Sequence, residues 1–222
     1  MMGLIKSSIA RKVAMALSGL FLVFFLGQHF VINISSVIDP DTFNSWSHFM
    51  GTNGLVQFVL QPVLIFGVVF HFVMGFILEL QNRKARAINY KSFKGNLSAS
   101  WASRNMLISG VVVLAFLGLH FYDFWVPEIV HKYIETHPED PTRYFPELVH
   151  KFESPVRVGL YALSFVLLIF HLWHGFASAF QSVGFNNKYS VGLTKFAKFY
   201  AVLIPIGFVF IALYHHFNQI PH

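Results

Sequence analysis

The sequence predicts an all-α membrane protein, a bundle of five transmembrane helices, and three observations carry that prediction. Of 222 residues, 55% are hydrophobic and only 12% charged, against about 25% charged in an ordinary soluble domain. Mean hydropathy is +0.56. The apolar residues gather in five runs, near 13–38, 55–80, 105–126, 156–182 and 196–217, each at or above the roughly 20 residues that cross a hydrocarbon core. An open chain satisfies its own backbone there only as helix, so 1–222 reads as a single integral membrane domain.

The first run follows Lys6, Arg11 and Lys12. It is too long for the apolar part of a signal peptide and lacks a small-residue cleavage site, so it reads as a retained helix. The second run leads into a basic linker, 81–104, with Arg83, Lys84, Arg86, Lys91, Lys94 and Arg104. The third ends at 127–155, "PEIVHKYIETHPEDPTRYFPELVHKFESP", a polar, proline-punctuated loop that predicts short amphipathic helices on the outer surface. The fourth and fifth flank a linker at 183–198 with Lys188, Lys195 and Lys198.

The N-terminus and these two linkers hold 12 of the 16 Lys and Arg. The other side, with loops 39–54 and 127–155, holds only Lys132, Arg143, Lys151 and Arg157, and nine of the ten acids, all but Glu79. The positive-inside rule places the N-terminus in the cytoplasm and the C-terminus outside. The net charge of +6 is therefore topological rather than a nucleic-acid footprint. With no cysteine, the chain itself carries no Cys-ligated iron–sulfur cluster, disulfide or thiol nucleophile.

Ionisable side chains inside a bilayer are costly and need a reason, yet five histidines fall within the runs: His29, His71, His120, His171 and His174. For any one of them, a neutral imidazole bonded to a nearby carbonyl is as good an account as a functional one. As a set they sort by depth. His29 lies nearer Asp39 than Lys12, and His120 nearer Glu128 than Arg104, which puts both in the outer half. His71 lies nearer Arg83 than Asn53, and His171 nearer Gly184 than Pro155, which puts both in the inner half. Four helices thus give two histidine pairs, roughly 10–15 Å apart along the membrane normal. A pair of imidazoles facing across a bundle is what a six-coordinate haem b requires, and with both axial positions filled such a haem carries electrons and has no open site for substrate.

"FHFVMGF" and "FHLWHGF" repeat the pattern FHxxxGF, with Gly75 and Gly175 at i+4 from His71 and His171, while Gly19 and Gly110 each lie ten residues before His29 and His120. Small residues let a macrocycle approach the backbone. His171 matches His71 in this pattern and is the expected ligand. His174, one turn on, is left for a haem propionate, a quinone headgroup or a backbone carbonyl. His131, His137, His150, His215, His216 and His222 read as solvated.

These residues resemble the five-helix dihaem cytochrome b subunit of succinate dehydrogenases and fumarate reductases. The resemblance covers nearly the whole chain through "SGLFLVFFLGQHFVIN", "FNSWSHFM", "FHFVMGF", "SGVVVLAFLGLHFYD" and "ESPVRVGLYALSFVLLIFHLWHGF". It implies axial ligation of an inner haem b by His71 and His171 and of an outer haem b by His29 and His120. It also implies an FAD-containing flavoprotein and an iron–sulfur subunit docked on the cytoplasmic face, a quinone as electron acceptor or donor, and a place in the bacterial cytoplasmic membrane. A dimer of such heterotrimers is compatible with the sequence. Ser18, Arg104 and Ser182 lie at the depth of the inner propionates. Asp123 is either a proton donor or acceptor for quinone or an interfacial carboxylate, and His48, Asn44 and Trp46 are candidates for an outer quinone pocket. One branch of the family carries a glutamate two residues before the fourth-helix ligand, for transmembrane proton movement. Here that position is Ile169, which favours succinate oxidation with a low-potential quinone, menaquinone.

Two histidines within one helix, the arrangement of the cytochromes b of nitrate reductases and of bc complexes, do not occur here at the required spacing. A haem-free transporter would use the buried histidines for an ion path, but broken helices and inverted repeats are not evident in the sequence. A haem-free membrane anchor is the remaining alternative.

Overall fold

A computed structural model describes residues 8–85, 106–185, 187 and 189–219. All regular structure among them is helical, and five helices are long and apolar enough to cross a membrane. The spanning helices are α1 (Ser8–Ile38), α3 (a π-helical turn Val56–Leu60 running into Gln61–Ala85), α4 (Met106–His120 and its continuation), α6 (Pro155–Ser182) and α7 (Ser190–Phe217). Two short helices, α2 (Pro40–Thr52) and α5 (Tyr144–Lys151), lie on the connections. Arg104 lies outside the described residues.

Local chemistry sets several boundaries. Asp39 caps α2, accepting from the backbone N–H groups of Asp41 and Thr42, with Pro40 in the first turn. The segment read as a loop at 39–54 is therefore a helix, because Asp-Pro-Asp supplies an N-cap, a pre-set φ and an acidic first turn. Ser154 and Pro155 start α6 in the same way. It ends at Gly184, whose φ of 93° no β-carbon tolerates easily. There Gly184 N–H donates to Gln181 O and Phe185 N–H to Phe180 O, and the Phe180 and Phe185 rings meet at 6.2 Å, a Schellman close with its apolar contact.

Beyond His120, α4 passes through a π-helical turn at Phe121–Trp125, a short α segment at Val126–Ile129 and a second π turn at Val130–Ile134. Helical structure thus runs past the end near 126 that the apolar run suggests. These turns add residues without breaking the rod and rotate the side chains that follow.

Packing is uneven. Helix α7 lies along α6 and also touches α1, with Ala197, Ala201 and Ala212 fully buried, small residues that let the backbones approach. A β-carbon at Gly207 would run into the Phe30 ring. Phe165, Leu168, Leu172, Ile204, Phe208 and Ile211 form the centre of the core. Helix α3 buries almost nothing, and large side chains such as Phe24, 79% exposed, and Phe66 point outward. A soluble protein does not carry so much apolar surface; facing lipid, it needs no cover. On the side holding α2 and α5, Arg143 binds Glu128 and Glu147, and Lys132 binds Glu128 and Gly51 O. These contacts tie the end of α4 to both short helices.

Candidate functional site

The spans bring four histidines together as two facing pairs. His71 on α3 meets His171 on α6 with ring centres 6.4 Å apart and planes at 74°. His29 on α1 meets His120 on α4 at 5.7 Å and 84°. Eleven residues of α1 separate Ser18, which contacts His71, from His29, so the pairs are stacked roughly 16 Å apart at 1.5 Å per residue. His174 is half-exposed and does not share the His71 contact.

Around the first pair the structure is nearly two-fold symmetric. Ser18 Oγ lies 3.0 Å from His71 Nδ1 and donates to Met15 O at 2.8 Å. Ser109 Oγ lies 3.2 Å from His171 Nδ1 and donates to Met106 O at 2.9 Å. A β-carbon on Gly19 would sit 3.1 Å from His71 Cε1, and one on Gly110 3.6 Å from His171 Cε1. Met15 Cε lies over Gly75 and Met106 Cε over Gly175. The pairs α1–α3 and α4–α6 are thus two versions of one unit. Its sequence signal, MxxSG followed ten residues after the glycine by His, stands at Met15–His29 and again at Met106–His120. Ser109 and Met106 escaped the sequence reading, which followed the glycines and histidines of this repeat and took Ser18 for a propionate contact, but passed over the second serine and both methionines.

The second pair sits in an aromatic shell: Phe25 stacks on His29 at 5.5 Å, Phe208 lies 5.7 Å from it, and Phe116, Phe124 and Tyr161 surround His120. His120 Nδ1 is buried without a hydrogen-bond partner. Asn33 donates to His29 O at 2.8 Å.

The other candidates separate. Asp123, in the π turn after His120, is 1% exposed. Arg157 Nη1 lies 2.5 Å from its Oδ1, and the Tyr161 hydroxyl donates to its Oδ2 at 2.8 Å, so both oxygens are engaged. Arg157, read from sequence only as an outer charge, is the partner of a buried acid. Asn44 is buried and accepts from Phe145 N–H at 2.8 Å, joining α2 to α5. Trp46 is exposed. His48 lines a cavity of about 20 Å³ with His131, His137, Asp140 and Tyr144, room for about one water and too small for a quinone ring. There burial, with Glu128 nearby, pushes the Tyr144 hydroxyl up to about 12, and hydrogen bonds from Thr142 hold Asp140 below the usual carboxylate range. Ser182 is exposed and donates to Ser178 O.

One expectation is corrected. His215, read as solvated, is 1% exposed, with Nε2 at 2.8 Å from the buried Ser36 hydroxyl. The turn of α7 that carries it faces α1 and the Phe145 ring, where the apolar run alone suggested only a membrane boundary.

Among the described residues no group of three or more His, Cys, Asp or Glu is placed to hold a metal ion, so each pair by itself offers a metal two imidazole ligands, the number a macrocycle leaves to the protein. The imidazole pairs suit that arrangement. Two ring nitrogens each about 2 Å from one metal place the ring centres roughly 6–6.5 Å apart. The His71–His171 distance falls in that range, and the His29–His120 distance is slightly shorter than it. Fold and site together define a multi-pass helical membrane protein with two stacked imidazole pairs in its interior. Comparison with protein-family models, with curated proteins and with solved structures gives no match.

Proposed function

We propose that this chain is the membrane cytochrome b subunit of a succinate:quinone oxidoreductase of the bacterial cytoplasmic membrane, passing electrons between an iron–sulfur partner and a quinone. The observation that carries the reading is the stacking of two facing histidine pairs about 16 Å apart in a five-helix bundle. The resemblance of the histidine-bearing segments to the dihaem family adds the partners: a flavoprotein with FAD and an iron–sulfur subunit on the cytoplasmic side, where the basic linkers lie if the N-terminus is inside.

Bis-histidine haem b supplies one-electron transfer between ferric and ferrous iron without an open coordination site. His71 and His171 hold the inner group, and His29 and His120 the outer one. The phenylalanines around His29 and His120 keep water away, and Arg157 and Tyr161 engage both carboxylate oxygens of Asp123 beside the outer pair. Ile169, in place of an acid, leaves no carboxylate two residues before His171 to carry a proton with the electrons. An electron that crosses uncompensated gains about 2.3 kcal/mol per 100 mV when it moves from the negative inner side to the outer side and works against the same amount when it returns, which favours menaquinone reduction by succinate over the reverse flow.

The test is a dithionite-minus-oxidised spectrum of the purified complex with pyridine haemochrome quantification, followed by succinate addition. Two b-type haems per chain, both reducible by succinate, support the reading. A well-folded preparation without haem removes it and leaves a transporter or a simple anchor.

A further inference from the structure

We propose that Ser18 and Ser109 are positioning residues that fix the tautomer and donor strength of the inner ligands His71 and His171, and so set the inner haem's potential apart from the outer one's. The inference rests on the haem reading above and adds a role that the histidines alone do not supply.

A serine hydroxyl has one proton and two lone pairs. Ser18 directs its proton to Met15 O and Ser109 to Met106 O. Toward the imidazoles, at 3.0 and 3.2 Å, each Oγ can therefore only accept. Nδ1 of both histidines then carries the proton, and both Nε2 lone pairs are free for iron. An acceptor on the distal N–H also makes an imidazole a stronger donor, which stabilises ferric over ferrous iron and lowers the potential. The outer pair is built differently. His120 Nδ1 has no partner, and the polar group that reaches the ring nitrogens of His29 is the amide nitrogen of Asn33, at 3.4–3.5 Å, which is a donor. Chemically identical ligands thus meet opposite surroundings at the two depths.

The experiment is potentiometric titration of the purified complex, with low-spin EPR, for wild type, Ser18→Ala, Ser109→Ala, the double variant and Ser109→Thr. A threonine in a helix can keep its Oγ on the same carbonyl. The expected result is a rise of the inner midpoint in each alanine variant, additive in the double, with a shifted inner EPR signal, an unmoved outer midpoint and near-native values for Ser109→Thr. Loss of the inner haem in Ser109→Ala but not in Ser109→Thr also supports positioning through the oxygen. Unmoved potentials, equal shifts of both haems, or failure of threonine to restore the native behaviour overturns the inference while two wild-type haems keep the cytochrome reading intact. A wild type without haem defeats that underlying reading instead.

Discussion

Arg157 closes over Asp123 at 2.5 Å, and the carboxylate beneath it is 1% exposed. A buried ion pair adds little net stability, but removing one partner strands the other. Arg157→Gln is expected to lower stability by about 3–5 kcal/mol, read as a fall in thermal midpoint in detergent. Arg157→Gln with Asp123→Asn should recover much of the loss. A single variant as stable as wild type would show that Asp123 reaches water or another cation.

His215 and Ser36 form a second buried contact, between α7 and α1. Ser36 donates to Asn33 O at 2.6 Å, so His215 Nε2 must be the donor to Ser36. His215→Ala should cost about 2–4 kcal/mol through a cavity and a lost hydrogen bond. The same thermal assay checks it, and His216→Ala, at a half-exposed ring, should cost less.

Gly19 and Gly159 make a matched pair of glycines in membrane helices. A β-carbon at Gly19 meets His71 Cε1 at 3.1 Å, whereas one at Gly159 meets nothing within 4 Å. Gly19→Ala should therefore shift the His71 ring and alter the optical and EPR signature of the haem proposed there, and Gly159→Ala should leave both unchanged. Identical spectra for the two variants would contradict the close approach.

The cap on α2 predicts a pH dependence. Hydrogen bonds from Thr42, side chain first, lower the Asp39 carboxyl from its ordinary value of 3.8. A depressed folded pKa means that the cap's contribution is complete above the unfolded value and is lost as pH falls through the folded one. The difference in α2 stability between wild type and Asp39→Ala, followed by amide exchange of Thr42, should stay constant down to about pH 4 and shrink below it. A difference that fades already between pH 7 and 5 would rule out Asp39 as the titrating cap.

The spanning helices were legible because twenty apolar residues admit no other backbone solution in a bilayer. The meeting of His71 with His171 and of His29 with His120 was legible for a related reason: a fixed rise converts position into depth. Rotation was not. Whether Asp123 faces Arg157 depends on the π turn at Phe121–Trp125, which no periodicity announces, and the orientation of His215 depends on how α7 lies against α1. Ser109 was readable in principle, since MxxSG occurs twice. Asn44 and His48 were read as lining an outer quinone pocket on a loop, yet they lie on a helix where Asn44 bonds a backbone N–H and His48 lines a cavity of about 20 Å³; such assignments need the packing of α2 on α5.

The most direct test of paired axial histidines is haem content per chain in His171→Ala, His120→Ala and His174→Ala beside wild type. The account predicts two haems in wild type and in His174→Ala, and one in each of the other variants, with a different spectral component lost in each. Two haems retained in His171→Ala, or one lost in His174→Ala, would contradict it.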